Sequence, residues 1–114
     1  MSMVKKLSFR IRRSYFDAIV KEEKNVEYRK FTPFWLKRLG RFIELLRHQF
    51  IGTTWATEPG EFEAVFICGK RIHRREIEAI ARIKTPDYFS AQGKKDVNTE
   101  TCLVFHLGKV IQEP

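Results

Sequence analysis

Leu7, Phe9 and Ile11 alternate with Ser8, Arg10 and Arg12. That period of two marks a strand with one buried and one wet face. Ser14-Tyr15-Phe16-Asp17 then reads as a helix start, with the Ser14 hydroxyl accepting from free backbone N–H groups and Asp17 reaching back. Tyr15 with Ile19, and Phe16 with Val20, share one side of a short helix expected to end near Lys24. Over residues 25–31 the period returns to two: Val26 and Tyr28 point one way, Glu27 and Arg29 the other. Pro33 opens a second helix, because its missing N–H is harmless in a first turn. Trp35, Leu39, Phe42 and Leu46 form the apolar stripe of that helix, with Ile43 beside them and Lys37, Arg41 and His48 opposite. The pattern predicts one continuous helix, weakened at Gly40 by about 1 kcal/mol relative to Ala.

Residues 52–60 hold Thr, Pro and Gly and read as a connecting loop. Residues 62–68 are apolar at almost every position, which predicts a central strand covered on both faces. Gly69 stops it, and residues 70–75 read as a basic turn. Residues 76–84 carry mixed signals: Ile77, Ala79, Ala81 and Ile83 alternate as in a strand, while Glu and Ala favour helix. Strand is the preferred reading, closed by Pro86. Residues 86–98, with Gly93-Lys94-Lys95-Asp96, predict an exposed, mobile loop. Residues 101–111 form the last strand, with Leu103, Phe105 and Leu107 on one face and a bend at Gly108. About five strands and two helices result. The strands follow closely in sequence, so the expected class is α+β: a small curved, mostly antiparallel sheet or barrel.

The chain has 114 residues, one domain's worth, and no linker or repeat interrupts it. Lys and Arg number 22 against 14 Asp and Glu, a net charge of +8 that favours polyanionic partners, nucleic acid foremost. The longest apolar run is far short of the about 20 residues a membrane helix needs, and no secretory signal opens the sequence. Cys68 and Cys102 read as reduced core thiols, which together with the missing signal gives a cytoplasmic expectation. His48, His73 and His106 lack metal-ligand spacing, and no phosphate loop or cofactor motif occurs, so neither metal nor cofactor is expected.

Chemistry concentrates in Lys24-Asn25-Val26-Glu27-Tyr28-Arg29. Glu27 and Arg29 share a strand face about 6–7 Å apart, and Lys24 stands at the strand entry. A carboxylate accepts from base amino groups and a guanidinium offers a planar fork to oxygens. The plainer alternative is a solvated face with an ion pair worth about 0–1 kcal/mol. Arg10, Arg12 and Arg13, with Lys70, Arg71, Arg74 and Arg75, are candidate phosphate contacts. Tyr15, Tyr28 and Trp55 are candidate stacking surfaces for bases.

Leu7-Ser8-Phe9, Tyr15-Phe16-Asp17-Ala18-Ile19 and Glu23-Lys24-Asn25-Val26-Glu27-Tyr28-Arg29 together resemble the opening of an ASCH domain, a family of the PUA-like superfamily. The family pattern is a helix, a Gly-x-Lys turn and a strand ending in Glu-x-Arg; here Glu22 or Glu23 stands at the glycine. Residues 31–39 resemble a small-protein branch with a Pro-Tyr/Phe-Trp helix, and residues 104–109 resemble its final strand. The resemblance implies a PUA-like β-barrel of five to six strands flanked by two helices. It also implies that RNA, a nucleotide or a modified nucleoside binds in a cleft formed by the first helix and second strand, with Lys24, Glu27 and Arg29 as contacts. Some relatives are amidohydrolases using Lys, Thr and Glu. Lys24 matches the first of these, but the expected Thr falls at Glu27, so the nucleophile does not carry over. Lys24 and Glu27 remain the candidates for a small hydrolase or ribonuclease. A third expectation is a protein-interaction domain using the helix around Trp35 and Arg41.

Overall fold

A computed structural model describes residues 4–48, 51–86 and 101–111. Among them the order is β1 (Lys5–Arg10), α1 (Arg13–Val20), β2 (Val26–Lys30), α2 (Pro33–Leu36), α3 (Phe42–His48), β3 (Thr54–Ala56), β4 (Phe62–Cys68), β5 (Arg71–Lys84) and β6 (Thr101–Val110). The described residues form an α+β fold whose six strands are mostly antiparallel. They hydrogen-bond in the order β1-β4-β5-β6-β2, with β3 beside β5. The loop expected after Pro86 falls outside the described residues. No helix among the described residues is long and apolar enough to cross a membrane.

The chain divides into two compact units. The first draws its described residues from 4–26, 56–79 and 106–111. Here β1 runs parallel to β4 from Lys5↔Phe62 to Arg10↔Ile67, and β4 pairs antiparallel with β5. A strand flanked on both edges has its backbone groups paired on both sides, so an apolar run such as β4 suits that place. Leu7 and Phe9 are buried and their neighbours Ser8 and Arg10 exposed, as the alternation predicts. Phe9 stacks on Phe66 with ring centroids 5.3 Å apart.

Helix α1 is shorter than its pattern suggests and starts differently. Arg12 is its N-cap, no side chain caps it, and Ser14 lies inside the helix, so the expected capping box does not form. Its buried residues are Phe16 and Ile19, while Val20 faces solvent. It stops at Val20 because the chain turns left-handed at Glu22, with φ 60°. The Glu22 N–H bonds to the Ile19 carbonyl and the Glu23 N–H to the Ala18 carbonyl. Those two bonds with a left-handed residue between them make a Schellman stop, a position glycine usually fills.

The second unit draws on residues 27–48, 51–55, 80–86 and 101–105. The single helix expected after Pro33 is two helices, α2 and α3, separated at Gly40, whose φ is 53°. Helix α2 gives way after Leu36 to i→i+3 turns, Arg38 N–H to the Trp35 carbonyl and Leu39 N–H to the Leu36 carbonyl, and the left-handed Gly40, a conformation only glycine takes without steric cost, stands before α3. Trp35, Leu39, Phe42 and Leu46 are nonetheless all buried, so the apolar stripe survives the break. Trp35 packs against Phe105 at 5.9 Å. Arg82 lies 3.7 Å from the Phe31 ring centroid and donates to Thr101 Oγ1 (2.9 Å) and to the Leu46 carbonyl (3.3 Å). The last contact satisfies a carbonyl that the end of α3 leaves open. The expected loop over residues 52–60 contains the short strand β3. The basic turn expected over residues 70–75 shrinks to Gly69 and Lys70, because β5 already begins at Arg71. Residues 76–84 are strand, as preferred.

Candidate functional site

Lys24 belongs to the first unit, where the turn after α1 fixes its backbone. Its N–H bonds to the Ala18 carbonyl at 3.1 Å, and its ammonium lies 4.5 Å from the Tyr15 ring centroid. Asn25 ties the same turn together: its side-chain amide donates to the Glu22 carbonyl, and its own carbonyl accepts from the Leu107 N–H.

Beneath this turn lies Arg75, only 2% exposed. Its Nε donates to the Gly108 carbonyl and its Nη2 to Asn25 Oδ1, both at 2.9 Å. Its Nη1 reaches the Ile19 and Lys24 carbonyls at 3.4 Å. Burial lowers its pKa from the usual guanidinium value, while Glu22 and Glu78 pull the other way. Gly108 also leaves room for the Glu76 and Glu78 side chains: a Cβ there would sit 3.3 Å from a Glu78 carboxylate oxygen and 3.6 Å from the Glu76 and Glu78 Cβ atoms. Arg75 therefore braces its own chain and does not stand on the surface with the other basic residues. Its neighbour His73 is half-buried and lies edge-on to Phe16, with its Nε2 unpartnered. Burial, and after it Arg75, hold its pKa below the ordinary histidine value.

The other basic candidates of this unit divide by exposure. Arg10, Arg12, Arg13 and Lys70 are exposed. Arg71 is half-exposed, bonded to Asp17 at 3.0 Å and lying over Phe16 at 4.5 Å. Arg74 grips the buried Glu63 carboxylate with two bonds, Nε to Oε2 at 2.6 Å and Nη2 to Oε1 at 2.8 Å. The register explains the fork, since Arg74 pairs opposite Val65 and so lies diagonally from Glu63. That hydrogen bond lowers the Glu63 pKa despite burial.

In the second unit, Glu27 and Arg29 share a face of β2, as their spacing predicts. Arg29 Nη2 donates to Glu27 Oε2 at 3.2 Å, and the Tyr28 N–H donates to Glu27 Oε1 at 3.2 Å. The face is not wet: Glu27 is 5% exposed. A carboxylate so far from water needs a countercharge and donors, and the two bonds supply them. The Arg29 guanidinium lies 5.6 Å from the Trp35 ring centroid. Trp35 stands perpendicular to Phe34 at 5.2 Å, and Arg38 covers Phe34 at 3.7 Å from its centroid. Phe34 and Arg38 were not among the residues the sequence singled out; the i, i+4 spacing of an aromatic and an arginine was the available signal. Trp55, expected in a loop, is half-buried on β3.

Among the described residues no three His, Cys, Asp or Glu side chains gather as metal ligands would. Cys68 and Cys102 are free thiols, the first half-buried and the second buried. Comparison with protein-family models, with curated proteins and with solved structures found no match to this chain.

Proposed function

We propose that this chain is an RNA- or nucleotide-binding domain of the ASCH, PUA-like kind, with Glu27 and Arg29 as the reading groups. The observation that carries the reading is the buried Glu27 carboxylate, bonded to Arg29 within a chain of net charge +8. Burying a carboxylate beside a guanidinium contributes little to stability compared with an apolar pair, so its presence on a short strand asks for another use. A carboxylate fixed at a known angle accepts from a base amino group, and the guanidinium beside it serves carbonyl or phosphate oxygens. The left-handed Glu22 also supports the reading, because it stands two residues before Lys24, where the family's Gly-x-Lys turn has its glycine.

The test is fluorescence anisotropy with labelled single-stranded RNA of about eight nucleotides, within the usual span of single-strand sites. If about four phosphates are neutralised, affinity falls about 50-fold between about 50 and about 200 mM salt. Replacing Arg29 with Ala weakens binding at least about tenfold, roughly 1.4 kcal/mol. Absence of binding at the lower salt overturns the proposal, as does unaffected binding by Arg29→Ala.

A further inference from the structure

We propose that Phe34 and Arg38 form a stacking platform for a second base, so that the ligand is a single-stranded polynucleotide and not a lone nucleotide. This rests on the RNA reading of the Glu27–Arg29 pair and names the form its ligand takes. All the residues concerned belong to the second unit.

Phe34 is one of four residues in α2, and its neighbours Trp35 and Leu36 are buried. Phe34 itself is 53% exposed. An exposed aromatic alone means little, since folded surfaces carry many apolar atoms. This ring, however, is held in place. Arg38 donates to the Phe34 carbonyl and lays its guanidinium over the ring, while Trp35 meets the ring at 86°. Trp35 in turn lies under Arg29, which is bonded to Glu27. Ring and guanidinium thus alternate from Arg38 through Phe34 and Trp35 to Arg29. Phe34 stays exposed with the Arg38 guanidinium laid against it, and aromatic rings and guanidinium planes are the surfaces on which bases stack regardless of sequence.

Charge decides the occupant. Residues 28–43 contain Arg29, Lys30, Lys37, Arg38 and Arg41 and not one Asp or Glu. A ring set among cations suits a base joined to phosphates. A protein surface that buried Phe34 would have to desolvate the Arg38 guanidinium that lies over it. A mononucleotide held at Glu27 and Arg29 has a single base, so a second base on Phe34 requires a strand.

The test compares a mononucleotide with single-stranded RNA and DNA of about eight nucleotides, on the intact chain and on Phe34→Ala, Phe34→Trp and Arg38→Ala. Phe34→Ala is expected to weaken octamer binding about 5- to 100-fold while leaving mononucleotide binding and the salt slope unchanged. Phe34→Trp retains octamer affinity, and Arg38→Ala lowers the salt slope by about one phosphate. Equal loss with RNA and DNA assigns the contact to the base, and loss with RNA alone overturns a stacking role. Octamer binding by Phe34→Ala at the unmodified affinity overturns the platform and leaves the Glu27–Arg29 reading standing. If the intact chain binds neither octamer nor mononucleotide, both proposals fall together.

Discussion

Replacing Arg75 with Met tests whether a buried charge braces the turn that carries Lys24. The guanidinium reaches four acceptors, two at 2.9 Å and two at 3.4 Å, and all four are neutral oxygens. Hydrogen bonds from a charged donor contribute about 1.5–3 kcal/mol each, so the two short ones supply about 3–6 kcal/mol and the long ones little. Methionine fills a similar length without a charge to desolvate, which offsets part of that loss, and the expected net destabilisation is about 2–4 kcal/mol. Against a total stability of about 5–15 kcal/mol, this is a large fraction. Urea unfolding followed by far-ultraviolet circular dichroism should show a midpoint lower by about 1–2 M, given a slope of about 1–3 kcal/mol per molar. Hydrogen exchange should quicken first at the amides of Glu22, Glu23 and Lys24, whose turn loses its underside. Arg75→Lys keeps the charge but not the fork, and it should fall at least as far. A midpoint for Arg75→Met at or above that of the unmodified chain would refute the bracing role.

Two left-handed positions predict opposite signs. Gly40→Ala should cost about 1–2 kcal/mol, because a side chain at φ 53° clashes with the backbone; Glu22→Gly should gain about 0.5 kcal/mol, relief of strain partly offset by a freer unfolded chain. Thermal melting that moves both variants the same way would sink this account. Glu63 predicts a pH effect. Its pKa is lower in the folded chain than its ordinary 4.5, so its contribution is fully present above that value and is lost as pH falls through the lower folded value. The stability gap between the chain and Glu63→Gln should therefore be widest near neutrality and shrink in acid; a gap constant with pH would contradict the ion pair's role.

Where side chains alternate without charge on the buried face, the sequence was readable. Leu7 and Phe9 mark β1, and the apolar run marks β4 to the residue. The stripe of Trp35, Leu39, Phe42 and Leu46 identified the buried positions but not the helix break. Periodicity records which side is covered, whereas the break depends on the backbone angle of Gly40. Polarity misled at Glu27 and Arg75, and Glu63 lies within a run read as covered on both faces. Each is charged and each is buried, because a partner distant in sequence or two residues along satisfies it. For Glu63 and Arg75 those partners lie 11 to 50 or more positions away, which no local pattern encodes. The Glu27–Arg29 pair was legible because strand geometry alone fixes i and i+2 on one face. The basic cluster over residues 70–75 was not, since the strand sends Arg74 and Arg75 to different neighbours.

The parallel pairing of β1 with β4 has a consequence for the order of assembly. Lys5 finds its partner only at Phe62, past the midpoint of the sequence, and no hairpin can deliver a parallel neighbour. While the chain is being synthesised, Leu7 and Phe9 must wait for their partners Ala64 and Phe66, exposed to collapse onto whatever apolar segment emerges first. Closing so long a span precedes its reward, so β1 should be among the last of these strands to dock.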